Sequence, residues 1–249
     1  MGSSLNPQYA VPGMVRKAQQ GDEGEAGWSA GLRGWCWDGK RTSDSAASSS
    51  PLRPQPPTLP RSMATWHPSV SVLFADIVGF STVSQEVEPE QVFAMLNELY
   101  ARYDSICETM PSLYKIETIG DAYMVAAGLL LHDADHAATM LRFALAMQQA
   151  AGQVQMPTGT GPVRIRVGIH SGPVTSGIIG KIRKRYCLVG NTVNTASRME
   201  SCGLPGRIHV SSSTHQLVAG SHPEFVWECR GPLDIKGLGS MVTWVLAQP

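Results

Sequence analysis

Residues 115–124 predict a β-hairpin in the middle of the chain. Apolar and polar side chains alternate up to Thr118, Gly120 and Asp121 supply a turn, and an apolar run resumes at Tyr123. Two turn-forming residues between such strands are a strong signal of a tight hairpin. The segment therefore predicts two paired strands with a short, polar tip.

Two carboxylates lie close to this tip. Glu117 and Asp121 are four positions apart, and on either side of a turn they can point to different places. Two carboxylates at one place would raise the pKa of one of them, whereas separate roles let both stay ionised. The alternative, on this segment alone, is that both are solvated turn acids, because charged residues are mostly exposed.

Two further segments extend the pattern. Residues 71–81 form an apolar strand that ends in Asp76 and runs into a turn at Gly79, and residues 185–200 carry an apolar run followed by a helical stretch. Together with the hairpin, they resemble the catalytic domain of the class III nucleotidyl cyclases, in detail its guanylyl cyclase branch. The resemblance covers about residues 66–247. Three long motifs in the right order are more specific than a lone glycine-rich turn.

Composition divides the 249 residues into two parts. Pro and Ser crowd residues 41–62, and such a segment cannot bury enough apolar surface to offset the entropy of ordering it. We therefore expect residues 1–65 to be a disordered tail or linker and residues 66–249 to be one catalytic domain. The ~180 residues of the second part suffice for one core of ordinary domain size.

Charge and cysteine content indicate which classes of binding partner and which cellular compartment to expect. Lys plus Arg and Asp plus Glu number 20 each, so no overall field favours nucleic acid or an anionic membrane. Five cysteines without a Cys-x-x-Cys pair fit a reducing compartment, and we expect the cytoplasm. We expect no membrane segment and no signal peptide, because no apolar run approaches ~18 residues. The chain would then be a cytoplasmic protein or the cytoplasmic catalytic portion of a larger one.

Hydrophobic periodicity predicts the elements around the hairpin. Helices are expected over residues 89–107, with Phe93 and Tyr100 on the core-facing side, and over 133–151 and 190–199. Strands are expected at residues 70–75, 113–118, 122–127, 163–169, 208–210, 225–229 and 243–246. The order β-α-β-β-α-β with C-terminal additions predicts an α+β, ferredoxin-like sandwich with its helices on one sheet face.

The stretch after the fourth strand has a histidine, a turn and a basic loop. His170 is expected to close the strand as a hydrogen-bonded structural residue, since no second histidine is spaced to share a metal. Residues 172–180 are interpreted as a turn and another strand. The basic loop at residues 181–185 is either a solvated surface or a patch that steers a polyphosphate.

The resemblance implies a metal and phosphate site. In the resembled fold the two strands are neighbours, so that Asp76 and Asp121 converge and, with the Ile77 carbonyl, bind two Mg²⁺ or Mn²⁺ ions per active site. One ion would activate a ribose 3′-hydroxyl and the other would stabilise the departing pyrophosphate. Phosphate oxygens would be bound by the backbone amides of Gly79, Phe80 and Ser81.

A helix supplies the transition-state groups. Asn194 and Arg198 are four positions apart, hence on one helix face, and a planar guanidinium suits the charge of a transferring phosphoryl group. The resemblance implies that Asn194 orients the ribose and Arg198 stabilises the transition state. It also makes Lys236 the candidate for the triphosphate, although residues 236–239 read Lys-Gly-Leu-Gly where relatives commonly have a second lysine.

The resemblance places Glu117 and Cys187 at the base-reading positions. A carboxylate can accept from guanine N1–H and N2–H₂, and a thiol can donate weakly to O6. Adenine would require the reverse pattern. From its local sequence alone, Cys187 would be a small buried residue of a strand.

The sequence therefore predicts a guanylyl cyclase that converts GTP to cyclic GMP and pyrophosphate. The resemblance implies a head-to-tail homodimer with two shared active sites. Adenylyl cyclase activity is the near alternative, and a non-catalytic subunit that pairs with an active partner is an alternative of another class. A diguanylate cyclase or polymerase-palm relative would share the carboxylates but would not need Asn194 and Arg198.

Overall fold

The structure, a computed structural model, describes residues 64–247. Its strands are β1 (Ala64–Ile77), β2 (Leu113–Ile119), β3 (Ala122–Ala127), β4 (Ile165–Ile179), β5 (Arg185–Val189), β6 (Ile208–Ser211), β7 (Trp227–Ile235) and β8 (Gly239–Leu246). Its helices are α1 (Phe80–Glu86), α2 (Pro89–Glu108), α3 (His136–Ala151), α4 (Asn191–Ser201) and α5 (Ser212–Val218). The expected tail lies outside the described residues, except for Ala64 and Thr65, which open β1.

The hairpin forms as expected from β2 and β3. Ile119 pairs with Ala122, so that Gly120 and Asp121 alone make the turn. Gly120 has φ 62°, a left-handed conformation that glycine adopts without a steric penalty. The local sequence thus places Asp121 at the tip of a tight, two-residue connection.

An eight-stranded sheet in the order β2-β3-β1-β4-β6-β8-β7 organises the fold, and β5 pairs with β4 off this path. The elements β1-α2-β2-β3-α3-β4 contain the expected β-α-β-β-α-β unit. Its four strands pair antiparallel, whereas β6 runs parallel to β4. The predicted ferredoxin-like α+β core is confirmed, and β6 to β8 are the C-terminal additions.

The two faces of the sheet carry different helices. On β1, Leu73 and Ala75 pack into the larger core cluster with α2 and α3. Val72 and Phe74, which alternate with them, pack into a second cluster with Ala196 of α4. The expectation that all helices lie on one face is therefore wrong, because β1 is apolar on both sides and needs a cover on each.

Strand β4 is longer than the alternation at residues 163–169 indicates. It runs through His170 to Ile179, so His170 does not close it and residues 172–180 contain no separate turn and strand. Pro173 is tolerated because the β1–β4 register shifts between His67 and Val70, opposite this segment, and prolines within sheets occur at such irregularities. The imidazole of His170 is hydrogen bonded to the Ser211 hydroxyl (2.7 Å), and burial lowers its pKa to about 4.

Helix α4 lies directly on β4. A Cβ atom placed on Gly168 would be 1.9 Å from the backbone nitrogen of Glu200, so no other residue fits there without moving the helix. At the other end, the Thr192 hydroxyl donates to the Pro173 carbonyl (2.6 Å). These two contacts hold both ends of α4 on the strand.

Other differences concern short elements and one side chain. Helices α1 and α5 have seven residues each, too few turns for a periodic pattern to be recognised. Phe93, expected to face the core, is 74% exposed. Among the described residues, the four cysteines are unpaired, and no helix is long and apolar enough to cross a membrane.

Candidate active site

Asp76 and Asp121 converge at one end of the sheet. Pairing of Ala75 with Tyr123 puts the end of β1 beside the hairpin turn. Burial raises the pKa of Asp121 to about 8, helped by a hydrogen bond and repulsion from Asp76 and opposed by the N–H groups of Asp121 and Ile77. The two carboxyl groups are thus close enough to share a proton when no cation lies between them.

Two residues that the sequence did not single out complete this acidic end. Arg166 of β4 donates to Asp76 (2.8 Å) and to Glu200 of α4 (3.0 Å). Burial, together with the charge of Asp76, raises the pKa of Glu200 to about 7, and Arg166 opposes this. Arg166 sits opposite Asp76 in the β1–β4 ladder, so only the strand register could have found it.

The acid pair suits a hard divalent cation. Among residues 64–247, no three His, Cys, Asp or Glu side chains are grouped closely enough to hold a metal by themselves. Mg²⁺, however, is usually bound by one or two carboxylates together with water and substrate phosphates. A cation between Asp76 and Asp121 would offset both effects that raise the pKa of Asp121, burial first and then the neighbouring Asp76.

The glycine turn after β1 leads into a helix rather than a loop. Gly79 has φ 77° and precedes α1, and its carbonyl accepts from the Thr82 and Val83 amides (3.1 Å each). Phe80 and Ser81 are therefore first-turn residues, whose N–H groups have no acceptor within a helix. Amide donors therefore remain available at Phe80 and Ser81, two of the three residues expected to bind phosphate oxygens.

The base-reading candidates meet through Arg185. The Arg185 guanidinium donates to Glu117 (3.2 Å), and the Cys187 thiol donates to the Arg185 carbonyl (3.7 Å). A cavity of about 380 Å³ beside them is lined by Tyr114, Ile116, Glu117, Thr118, Arg185 and Tyr186. Arg185 was assigned to the basic loop, but it is the first residue of β5 and its side chain faces the candidate base site.

Asn194 and Arg198 point away from the sheet. The buried side of α4 consists of Thr192, Thr195, Ala196 and Met199. Asn194 is exposed and Arg198 is half-buried. Within residues 64–247, Arg198 forms no ion pair, so its guanidinium is free to meet an anion.

Lys236 lies far from the acids. It is exposed in the turn between β7 and β8, where Ile235 pairs with Gly239. At the other end of β8, Val245 pairs with His209, which follows Ile208 at the Asp76 end of β4. Lys236 and Asp76 therefore lie at opposite ends of the sheet within one chain.

Comparison with known proteins identifies the family of the chain. Residues 63–248 match the model of the adenylate and guanylate cyclase catalytic domain. The chain belongs to this family. Among curated cyclases, the guanylate cyclase soluble subunit beta-2 of Rattus norvegicus is 44% identical over 178 residues, or 72% of this chain. The chain spans only 26% of that relative's length.

Solved cyclase domains share the fold. The guanylate cyclase domain of RhGC from Catenaria anguillulae, solved in complex with GTP, is 39% identical with a TM-score of 0.69, covering 74% of this chain and 98% of that one. A dimeric guanylyl cyclase domain from Blastocladiella emersonii is 38% identical with a TM-score of 0.64, covering 73% and 97%. The cyclase fold expected from the motifs is thus confirmed over the described residues.

Proposed function

We propose that the protein is a guanylyl cyclase that converts GTP to 3′,5′-cyclic GMP and pyrophosphate. The observation that carries the proposal is the convergence of Asp76 and Asp121, an acid pair that suits a hard divalent cation. The same chain presents Glu117 beside a cavity and Cys187 on β5, the strand whose Arg185 also lines that cavity. Phosphoryl transfer needs positioned charges rather than covalent chemistry. The similarity to proteins named guanylate cyclases supports this choice of reaction.

Asp76, Asp121 and the Ile77 carbonyl would hold two Mg²⁺ or Mn²⁺ ions, and Arg166, which donates to Asp76, would hold that side chain in place. Metal ions, when bound, lower the pKa of an attacking hydroxyl and stabilise the leaving oxygens. Glu200 would remain connected to Asp76 through the Arg166 guanidinium, which donates to both carboxylates. First-turn amides of α1, at Phe80 and Ser81 after Gly79, would donate to phosphate oxygens.

The choice between guanine and adenine would depend on Glu117, which would exchange its present partner, Arg185, for the base. The Glu117 carboxylate, which now accepts from Arg185, would accept from guanine N1–H and N2–H₂, while Cys187 would donate to O6. Adenine offers an acceptor at N1 and a donor at N6, so the same pair would leave its groups unmatched. GTP is therefore the proposed substrate, and ATP is the alternative that the test must separate.

The remaining roles belong to α4 and the β7–β8 turn. Asn194 would orient the ribose, and the free guanidinium of Arg198 would stabilise charge on the transferring phosphate. Lys236 would contact the triphosphate. Because Lys236 and Asp76 lie at opposite ends of one sheet, a site that uses both needs a second chain.

We infer a head-to-tail homodimer with two shared active sites. A two-fold axis would bring the acids of one chain against Glu117, Cys187, Asn194, Arg198 and Lys236 of the other, and would generate a second equivalent site. A similar guanylyl cyclase domain was solved as a non-canonical dimer, which supports association of two domains; the head-to-tail arrangement rests on the separation of Lys236 from Asp76.

Product analysis of the purified full chain tests the proposal. GTP and ATP would be incubated with Mg²⁺ or Mn²⁺ over a range of protein concentrations, and nucleotides would be separated chromatographically. Cyclic GMP should dominate, with specific activity rising as dimers form. Cyclic AMP as the main product would establish the adenylyl alternative. Absence of both products from a demonstrated dimer would favour a non-catalytic subunit.

A further inference from the structure

The hairpin turn that carries Asp121 is held by a helix residue, Tyr100. The Tyr100 hydroxyl on α2 donates to the Gly120 carbonyl at 3.0 Å. Gly120 directly precedes Asp121, so this bond fixes the peptide group that leads into the acid. On the sequence alone, Tyr100 was only a core-facing residue of a helix.

The turn has little other support on this side. A Cβ atom placed on Gly120 would meet nothing within 4 Å, and the neighbouring Ile119 is 49% exposed. Among the side-chain hydrogen bonds of residues 64–247, the one from Tyr100 is the one that ends on the Gly120 backbone. The position of the tip therefore depends on strand pairing, on the Ile77 N–H that donates to the Asp121 carboxylate, and on the Tyr100 hydroxyl at the Gly120 carbonyl.

The Tyr100 ring is itself fixed against the hairpin. Its centroid lies 5.5 Å from that of Tyr123 on β3 and 6.4 Å from that of Tyr103, one turn along α2. The Tyr123 hydroxyl donates to Asp104 of α2 (2.5 Å), and Lys115 of β2 donates to the same carboxylate (2.7 Å). These contacts fix β2 and β3 on α2. The Tyr100 hydroxyl is therefore held at a fixed position relative to the hairpin turn.

We propose that Tyr100 is a positioning residue for the metal-binding acid, which acts through the Gly120 carbonyl to hold Asp121 facing Asp76. The inference rests on the proposed function for its catalytic consequence, although not for its structural one. Loss of the hydroxyl should leave the fold intact but let the turn sample other conformations, so that the two carboxylates meet a cation less often in the right arrangement.

Tyr100→Phe is the direct test, and Tyr103→Phe is its matched control. Both changes delete one phenolic oxygen from the same aromatic group on the same helix. The Tyr103 hydroxyl is buried without a hydrogen-bond partner among the described residues, so its removal breaks no bond. Net hydrogen-bond contributions correspond to roughly a three- to tenfold change in an equilibrium, which sets the expected size of the effect.

Three measurements on the full chain decide the matter. In Tyr100→Phe, kcat should fall roughly three- to tenfold and the half-saturating Mn²⁺ concentration should rise by a similar factor, while KM for GTP at saturating metal changes less than about twofold. Amide hydrogen exchange in the turn, measured without nucleotide or metal, should accelerate by roughly three- to tenfold. Tyr103→Phe should match the wild type in all three.

The outcomes are distinct. Faster exchange at the turn together with the higher Mn²⁺ requirement supports the proposal. Equal exchange in both variants overturns it, even if activity falls, because the hydroxyl would then act by another route. If the wild type forms no cyclic nucleotide, the proposed function fails, and the exchange rates alone still show whether Tyr100 holds the turn.

Discussion

Asp76 and Asp121 lie where β1, the hairpin turn and β4 meet, whereas Glu117 and Cys187 lie on the edge strands β2 and β5. The acidic end is enclosed: the side chains of Asp76 and Glu200 are 24% and 13% exposed, and Arg166 links them. At the base-reading end, the side chains of the Arg185–Glu117 pair are 53% and 33% exposed, so this pair is more open to water.

This difference shows how one chain can combine a fixed site and an adaptable one. A solvent-accessible ion pair contributes only about 0–1 kcal/mol. The Glu117 carboxylate can therefore exchange Arg185 for a nucleotide base at a small cost in free energy. The half-buried acids have no such freedom, because their mutual repulsion persists until a proton or a cation relieves it. We therefore expect changes at the acidic end to affect turnover and changes at the edge strands to affect selectivity.

The largest expected effect tests the acidic end. Asp121→Asn should lower kcat by about a thousandfold, because loss of one carboxylate removes roughly 4 kcal/mol of metal-dependent stabilisation. Cyclic GMP formation at saturating Mn²⁺ measures it. Asp135→Asn, an exposed aspartate before α3, is the matched control. Retention of more than about a tenth of the wild-type rate, a barrier change of only ~1.4 kcal/mol, would refute the metal assignment.

The next effect tests the base-reading end. Glu117→Lys combined with Cys187→Asp exchanges acceptor for donor at both positions, so the GTP/ATP ratio of kcat/KM should fall by at least about a hundredfold. Steady-state kinetics with both nucleotides measure the ratio. If it stays unchanged while the enzyme remains active, these residues do not read the base.

Mixing experiments test whether the two ends work together across chains. Asp121→Asn and Arg198→Ala should each be nearly inactive, yet recover roughly a quarter of wild-type activity when mixed with free exchange. Half of the dimers are then mixed, and one of the two sites in each is intact. No recovery despite demonstrated subunit exchange would show that each site lies within one chain.

The smallest effect concerns pH. The pKa of Asp121 is raised to about 8 and that of Glu200 to about 7, so the folded, metal-free protein binds more protons than the unfolded chain between about pH 4 and 8. Stability from these groups is therefore greatest at low pH and falls as pH rises through that window.

Thermal unfolding in EDTA between pH 6.5 and 8 isolates this effect, because burial lowers the pKa of His170 and His209 to about 4 and their opposite contribution ends near pH 6.5. The wild-type Tm should fall over this range, and the loss of unfolding free energy is at most ~1.4 kcal/mol per pH unit for each of the two carboxyl groups. Asp121→Asn should reduce the slope to the contribution of Glu200. An equal slope in both proteins would show that the pKa of Asp121 is not raised.

The residues that the sequence located are those set by local pattern. Spacing predicts the positions of Asp76 at a strand end, Asp121 in a two-residue turn, and Asn194 and Arg198 on one helix face. Their assignment to an active site came from the family resemblance. Arg166 and Arg185 were missed as site residues because their roles depend on which residues face them from other strands. Register and the placement of α4 across β4 are tertiary properties, and a single sequence gives no direct signal for either.

Contact between α4 and β4 at Gly168 has a mechanical consequence. Where side chains separate two elements, a small displacement can be absorbed by a change of rotamer. At Gly168 the helix backbone rests on the strand backbone, and this interface contains no rotamer to change. A displacement of β4 at Gly168 should therefore move the C-terminal end of α4 with it, which makes the strand a stiff lever for the helix that carries Asn194 and Arg198.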